Sequence, residues 1–450
     1  MYFDITAFIR YNFRAFFKTK GEHYRLTPKR FLVLTIWLIL FIPVQLVNHL
    51  CFFLDEIFFP KYRQQEVREP IFIIGNPRSG TTFLHRLMFK DIESFTAFTV
   101  WELALAPSVI QRKIIWAIVR IGNQIGDPIR QLVNSINKGF DHSKRNSAHV
   151  IKINDAEEDE HILIHSWTSE SLWALYPFRD ELLPFFFFDR DVPKPKQRII
   201  MNFYKNMLQR HLYAHGGNKI LLSKNPSHSS KLAALMETFP DARFINLVRT
   251  PLEAMPSMLD YMSTGWSIFC DPLEPYPFKD EFFEVMKFYY LYPAAFFKDK
   301  QNQCKSIKYE HLLQRPDGIV EDLYAWLKLD FSDKFRETVI RETKTAHHYQ
   351  SCHEYSIEKM GLTEERIVKE FEEVFSYYEF DNLQIDLPDH VMFWKLYEWP
   401  QEWKLQRKQR QHNRKIRGLE KKEFRRRKKG KSILVHNLIS TNNKDLYHAD

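Results

Sequence analysis

The stretch Pro70-Ile-Phe-Ile-Ile-Gly75-Asn-Pro-Arg78-Ser-Gly80-Thr-Thr82 leaves a chain little freedom in how to fold around it. A short apolar run ending at a glycine reads as a buried parallel strand. Gly75 then allows a tight turn, and Thr81 and Thr82 open a helix. A strand, a glycine-bounded turn and a helix N-terminus together make a phosphate cradle, because backbone N–H groups converge there and the helix end supplies positive potential. A nucleoside-triphosphate loop reads G-x-x-x-x-G-K-[ST]. Here Thr81 stands in the place of that lysine and the cation comes earlier, at Arg78, which departs from a Mg-dependent kinase or NTPase.

Similar short runs follow at 219–222, 243–248 and 305–309, with helical stretches between them at 81–89, 230–238 and 319–327. Such alternation predicts an α/β fold, a P-loop-type doubly wound parallel sheet with helices on both faces. Three regions are expected: a basic flank and hydrophobic helical segment (1–65), a catalytic domain (66–400) and a basic helical tail (401–450).

Pro77-Arg78-Ser79-Gly80-Thr81-Thr82, after its strand, resembles the 5′-phosphosulfate loop of sulfotransferases that use 3′-phosphoadenosine 5′-phosphosulfate (PAPS). That resemblance implies a second signature, an Arg ending a later strand with a Ser eight residues on. Arg249 and Ser257 supply it, and together they would hold the donor's 3′-phosphate. Lys224-Asn-Pro226 resembles the Lys-x-Pro turn of the tyrosylprotein and bacterial-type branches. It implies that Lys224 contacts the sulfuryl group or bridging oxygen, where negative charge grows as the S–O bond breaks. The late segment Ser306 to Leu327 is also similar to this superfamily, but the Gly-rich Arg-Lys-Gly loop of the cytosolic small-molecule branch is not found.

A general base must take the acceptor's proton. Glu102 falls where the resembled families place an acid after the first helix. The alternatives are the acidic run 155–160, which follows His149, or a histidine, His228 or His85. The implied reaction moves a sulfuryl group from PAPS to a hydroxyl or amine, with Arg78, Ser79, Gly80, Thr81 and Thr82 on the phosphosulfate and no metal. A P-loop kinase is the other enzymatic reading.

The net charge of +9 belongs to one region. Residues 404–431 hold fifteen Lys and Arg against Glu420 and Glu423, +13, so the remainder carries 9 − 13 = −4. No nucleic-acid recognition module accompanies that tail, and its basicity suits anionic lipid. Residues 31–54 carry no formal charge and are long enough to cross a bilayer. They could span once, lie half-inserted or as a hairpin with Pro43, Gln45, Asn48 and His49 marking a break, or form a buried helix. Four scattered cysteines and the lack of any Asn-x-Ser/Thr sequon favour a membrane-associated protein whose catalytic domain faces the cytoplasm, against a type II protein with a lumenal domain. A lipid or other amphiphile is therefore the expected acceptor, against carbohydrate or peptidyl tyrosine. The aromatic stretch 166–188 would line an acceptor pocket or form core.

Overall fold

Ile71–Gly75 forms β1, and all five of its residues are buried, as a strand covered on both faces requires. In the computed structural model, which describes residues 2–19, 23–124, 152–347 and 357–380, β1 is the central strand of five. The others are β2 (Phe95–Thr96), β3 (Ile220–Lys224), β4 (Arg243–Val248) and β5 (Cys304–Lys308), in the order β2-β3-β1-β4-β5. Every pairing is parallel, with Ile71 opposite Leu222 on one side and Arg243 on the other. From β1 the chain goes to the edge strand β2, returns inward to β3, and then crosses β1 to build β4 and β5 on its other side. β1 is thus the switch point of the sheet, and open α/β sheets bind ligands outside the carboxyl ends of the strands at such a point.

The predicted doubly wound α/β fold is therefore present. The two-residue β2 was not foreseen, since so short a strand carries no periodic signal. The helix after the loop is Thr81–Met88, α3. Its Leu84, Leu87 and Met88 pack with Ile73, Leu222, Ile245 and Leu247 into the sheet core. Burying each such side chain contributes roughly 1.5–3 kcal/mol.

Two N-terminal helices precede the sheet, α1 (Ile5–Phe17) and α2 (Pro28–Phe58). α2 runs unbroken through Pro43, so the hairpin reading of 31–54 does not hold. Gln45, Asn48 and Asp55 are buried on one of its faces together with Arg30, Leu34, Phe41 and Phe52. The aromatic stretch is core as well. Trp167 packs against Phe8, Tyr11 and Phe41, and Trp173 and Phe185 to Phe188 are all buried. The chain divides into Met1–Ile385 and Asp386–Asp450. His149 and the basic tail lie outside the described residues, as does Cys352; Cys51, Cys270 and Cys304 are free thiols.

Candidate active site

The loop between β1 and α3 is shaped by two glycines and one strained residue. Gly75 has φ +139°, and a Cβ there would lie 1.9 Å from the Leu247 carbonyl oxygen on β4. Its backbone is gripped twice by Ser229, whose Oγ accepts from Gly75 N–H at 3.0 Å and donates to the Gly75 carbonyl at 3.1 Å. Gly80 has φ +85° and rests on the ring of Tyr309, which a Cβ would meet at 2.8 Å. Arg78 adopts φ +69°, a conformation non-glycine residues rarely hold without a local reason. Ser79 Oγ is buried and has no hydrogen-bond partner among the described residues. A buried hydroxyl normally has one, and a phosphate oxygen at this helix start would provide it.

The second signature closes onto the first. β4 ends at Val248, and the N–H of Arg249 donates to Asn76 Oδ1 at 3.1 Å. The Arg249 guanidinium donates to the Arg78 carbonyl at 3.2 Å, lies 4.5 Å over the Tyr309 ring and pairs with Glu253. Ser257, buried on the helix Pro251–Phe269, accepts from Arg78 Nε at 2.9 Å. Two cations and a hydroxyl from segments about 170 positions apart thus meet at the carboxyl ends of β1 and β4. Asn76, Tyr309, Ser229 and Glu253 shape this pole and were not singled out in the sequence. Tyr309 alone carried a signal, as the residue directly after β5.

Lys224 ends β3, its side chain only 1% exposed. Its Nζ donates to Glu158 Oε1 at 2.8 Å and lies 3.8 Å from Glu157. The acidic run is held there by its backbone. Glu157 N–H donates to the Phe98 carbonyl at 2.9 Å, Ala156 bridges Thr99, and Asp155 pairs with Arg86 of α3 at 3.3 Å. Next along the run, Asp159 accepts from Ser223 and Tyr204 at 2.9 and 2.6 Å, and burial pushes its carboxyl up to about 6.

Glu102 does not join this group. It belongs to α4 (Val100–Ala104), where it forms a capping box with Thr99. Its carboxylate lies 2.7 Å from His215 Nε2 and 3.7 Å from Arg112, with His211 at 4.0 Å. Burial alone would raise its pKa, but Arg112, His211 and His215 outweigh that and hold it well below the carboxylate range. A carboxylate that binds a proton so weakly and is enclosed by three cationic or imidazole groups is a poor base. The contacts of Glu102 are those of a buried ion-pair cluster and give the expectation of a base there no support. Glu102, His211 and His215 could in principle ligate a metal, but Arg112 already supplies the positive charge, donating to His211 Nδ1 at 3.1 Å. The other histidines are also structural in their contacts. His85 is buried against the Leu222 carbonyl with its pKa pressed down to about 3, by burial and then by Lys224. His228 is buried between Phe72 and Tyr204 and held well below the usual range, again by burial first.

Solved structures share this architecture. A sulfotransferase from Mycobacterium avium, STF9, superposes with a TM-score of 0.63 at 18% identity, over 86% of this chain and 98% of that one. STF1 from Mycobacterium tuberculosis gives 0.59 at 22% identity, over 81% and 91%. Among curated proteins, the omega-hydroxy-beta-dihydromenaquinone-9 sulfotransferase Stf3 of Mycobacterium bovis and of M. tuberculosis is 27% identical over 196 residues. That match takes in 42% of this chain and 44% of the relative's length. Residues 70–333, which run from the first strand past the last and hold every site residue above, match the Sulfotransferase family profile. The chain belongs to the sulfotransferase family.

Proposed function

We propose that the protein moves a sulfuryl group from PAPS to a hydroxyl of a membrane lipid or similar amphiphile. The observation that carries this reading is the closure of two anion-binding motifs on one pole, through Arg78 Nε to Ser257 Oγ and Arg249 to the Arg78 carbonyl. A donor with phosphate groups at both its 5′ and 3′ positions needs two such motifs. The orphaned Ser79 hydroxyl, the strained Arg78 backbone and the Gly80–Tyr309 contact fit a phosphosulfate against the loop.

In this mechanism Arg78, Ser79, Gly80, Thr81 and Thr82 hold the 5′-phosphosulfate, and Arg249 and Ser257 hold the 3′-phosphate. The acceptor oxygen forms a bond to sulfur while the bond from sulfur to the bridging oxygen breaks. That electron pair stays on the departing phosphate, where Lys224 stabilises it. The acceptor proton passes to a carboxylate of the acidic run, Glu158 or Glu157, the groups paired with Lys224. No step calls for a metal. A lipid acceptor is supported by the curated mycobacterial relative Stf3, which is named for an omega-hydroxy-beta-dihydromenaquinone. Membrane association is proposed through residues 31–54 and the basic tail, with the catalytic domain on the cytoplasmic side.

The test is titration of the purified protein with PAPS, followed by transfer of labelled sulfate onto fractionated cell lipids and onto soluble glycans. Saturable PAPS binding with label in a lipid fraction is expected. Label in glycans alone would exclude the lipid acceptor, and ATP turnover with Mg²⁺ without PAPS binding would make the protein a kinase.

A further inference from the structure

α2 is built inside out. Seven of its residues are buried, and four of them are polar or charged: Arg30, Gln45, Asn48 and Asp55. Each has partners in the body. Arg30 donates to the carbonyls of Leu175 and Phe269 at 3.1 and 3.3 Å. Gln45 Nε2 lies 2.9 Å from His165 Nδ1, and Asn48 accepts from Gln111 at 2.8 Å. Asp55 accepts from the N–H groups of Val109 and Ile110 and from Arg210 at 3.0, 2.9 and 3.0 Å. Facing outward from 31 to 58, by contrast, every exposed residue is apolar, Leu46, Ile39, Leu40 and Phe58 most of all.

The neighbouring helices continue this outer face. α1 packs on α2 through Phe8 on Phe41 and Phe16 on Phe31, and it exposes Ile5, Ile9, Phe13 and Phe17. α5 (Val109–Gln124), whose start is capped by Asp55, exposes Ile114, Ile118 and Ile121. The exposed charges on these three helices and at their ends are Arg10, Lys18, Lys29, Lys113 and Arg120, and none is acidic. An apolar surface of this extent on a folded domain marks an interaction site. Arg10 pairs with Glu181 and Lys29 with Asp271; the remaining cations, Lys18, Lys113 and Arg120, complement anionic headgroups.

We propose that α1, α2 and α5 form a monotopic docking face that lies in one leaflet of a bilayer, with α2 in the membrane plane rather than across it. α2 is about 42 Å long from 31 to 58, at about 1.5 Å per residue, and the body grips it along that length from Arg30 to Asp55. To cross the membrane, the helix would have to strip two charged side chains and two amides from their partners and place them in hydrocarbon, where charged groups are costly. Lying flat, it keeps every one of those contacts and buries only the apolar face. The inference deepens the proposed action at a membrane, and its test needs no sulfuryl transfer. It also bears on the active site. His165, which α2 holds, closes the helical turn Asp159–Ser166 that begins beside Glu158, the partner of Lys224. The docking helix and the reacting pole are thus joined by one short segment.

The test uses full-length protein and preformed vesicles of phosphatidylcholine, alone or in equal parts with phosphatidylglycerol, separated by flotation. Neutral vesicles isolate the apolar face from the electrostatics of the tail. The wild type is expected to float with both vesicle types. The double variant Leu40→Glu/Leu46→Glu and, on a separate helix, Ile114→Glu are expected to lower the floated fraction about tenfold on neutral vesicles, with circular dichroism melts unchanged. An N-terminal tag and the catalytic body are expected to remain open to protease added outside the vesicles. Protection of the tag would overturn the in-plane arrangement. Failure of the wild type to float on neutral vesicles, with a dimer found by sedimentation, would assign the face to a second copy instead. Loss of sulfuryl transfer with flotation intact would sink the functional reading and leave the docking face standing.

Discussion

Lys224 and Asp159 are neighbours in the site with opposite consequences. Lys224 is buried, yet its partner Glu158 keeps 32% of its side chain in solvent, so truncating the lysine leaves a carboxylate that water can hydrate. Lys224→Ala is expected to fold and to bind PAPS within a few-fold of wild type, while kcat falls about 10²–10³-fold, the usual loss when one donor to a developing anion is removed. An unchanged kcat in single-turnover assays would remove Lys224 from the mechanism. Asp159 tests the burial of the acidic run. Its folded pKa of about 6 lies above the ordinary 3.8, so the folded state binds the proton more tightly than the unfolded chain does. The stability this gives is complete below pH 4 and is lost as pH rises through 6, a swing of about 3 kcal/mol at 1.36 kcal/mol per pKa unit. Thermal melts from pH 4 to 7 should show that slope in the wild type and lose it in Asp159→Asn. Glu102 has the reverse sign. Its depressed pKa gives stability above pH 4.5 that is lost as pH falls, so Glu102→Gln is expected to lower the melting temperature at pH 7. The loop residues were legible because each sits beside its neighbour in sequence. The partners of Lys224 were not, since Glu157 and Glu158 reach it through a fold that bridges Ala156 to Thr99, fifty-odd positions of chain away.

The elements that carry the site depend on close backbone approaches. Gly75 is the sharpest case, with φ +139° and a Leu247 oxygen where a Cβ would be. Gly75→Ala should cost at least ~3 kcal/mol, because strain and clash add and neither β1 nor β4 can retreat within the sheet. Gly265, inside the helix Pro251–Phe269, has open space around its missing Cβ. Gly265→Ala should instead stabilise by about 0.5–1 kcal/mol. Urea midpoints of the pair provide the check; equal shifts would contradict the account. At this scale the sequence showed β1, β3, β4 and β5 to within a residue or two, since short apolar runs bounded by turns are a local signal. α2 was legible in extent but not in arrangement. Its Gln45 and Asn48 looked like a break beside Pro43, yet with Arg30, Leu34, Phe41, Phe52 and Asp55 they repeat at three and four residues and mark one inward face.

For the molecule as a whole, the sheet brings the loop, the Arg249–Ser257 pair and Lys224 to one edge, although they lie up to 182 positions apart between Gly75 and Ser257. The order β2-β3-β1-β4-β5 does this, and only the strand–helix alternation hinted at it. Parallel strands in a doubly wound order present all their carboxyl ends on the same side. The central claim is that this edge holds a sulfuryl donor by both of its phosphate poles. Calorimetric titration with PAPS and with adenosine 5′-phosphosulfate, which lacks the 3′-phosphate, tests it most directly in the wild type and in Arg249→Ala. The account predicts that the wild type prefers PAPS by at least about tenfold, the value of one charge-assisted contact of about 1.5–3 kcal/mol, and that Arg249→Ala erases the preference. Equal affinity of the wild type for both ligands would contradict it.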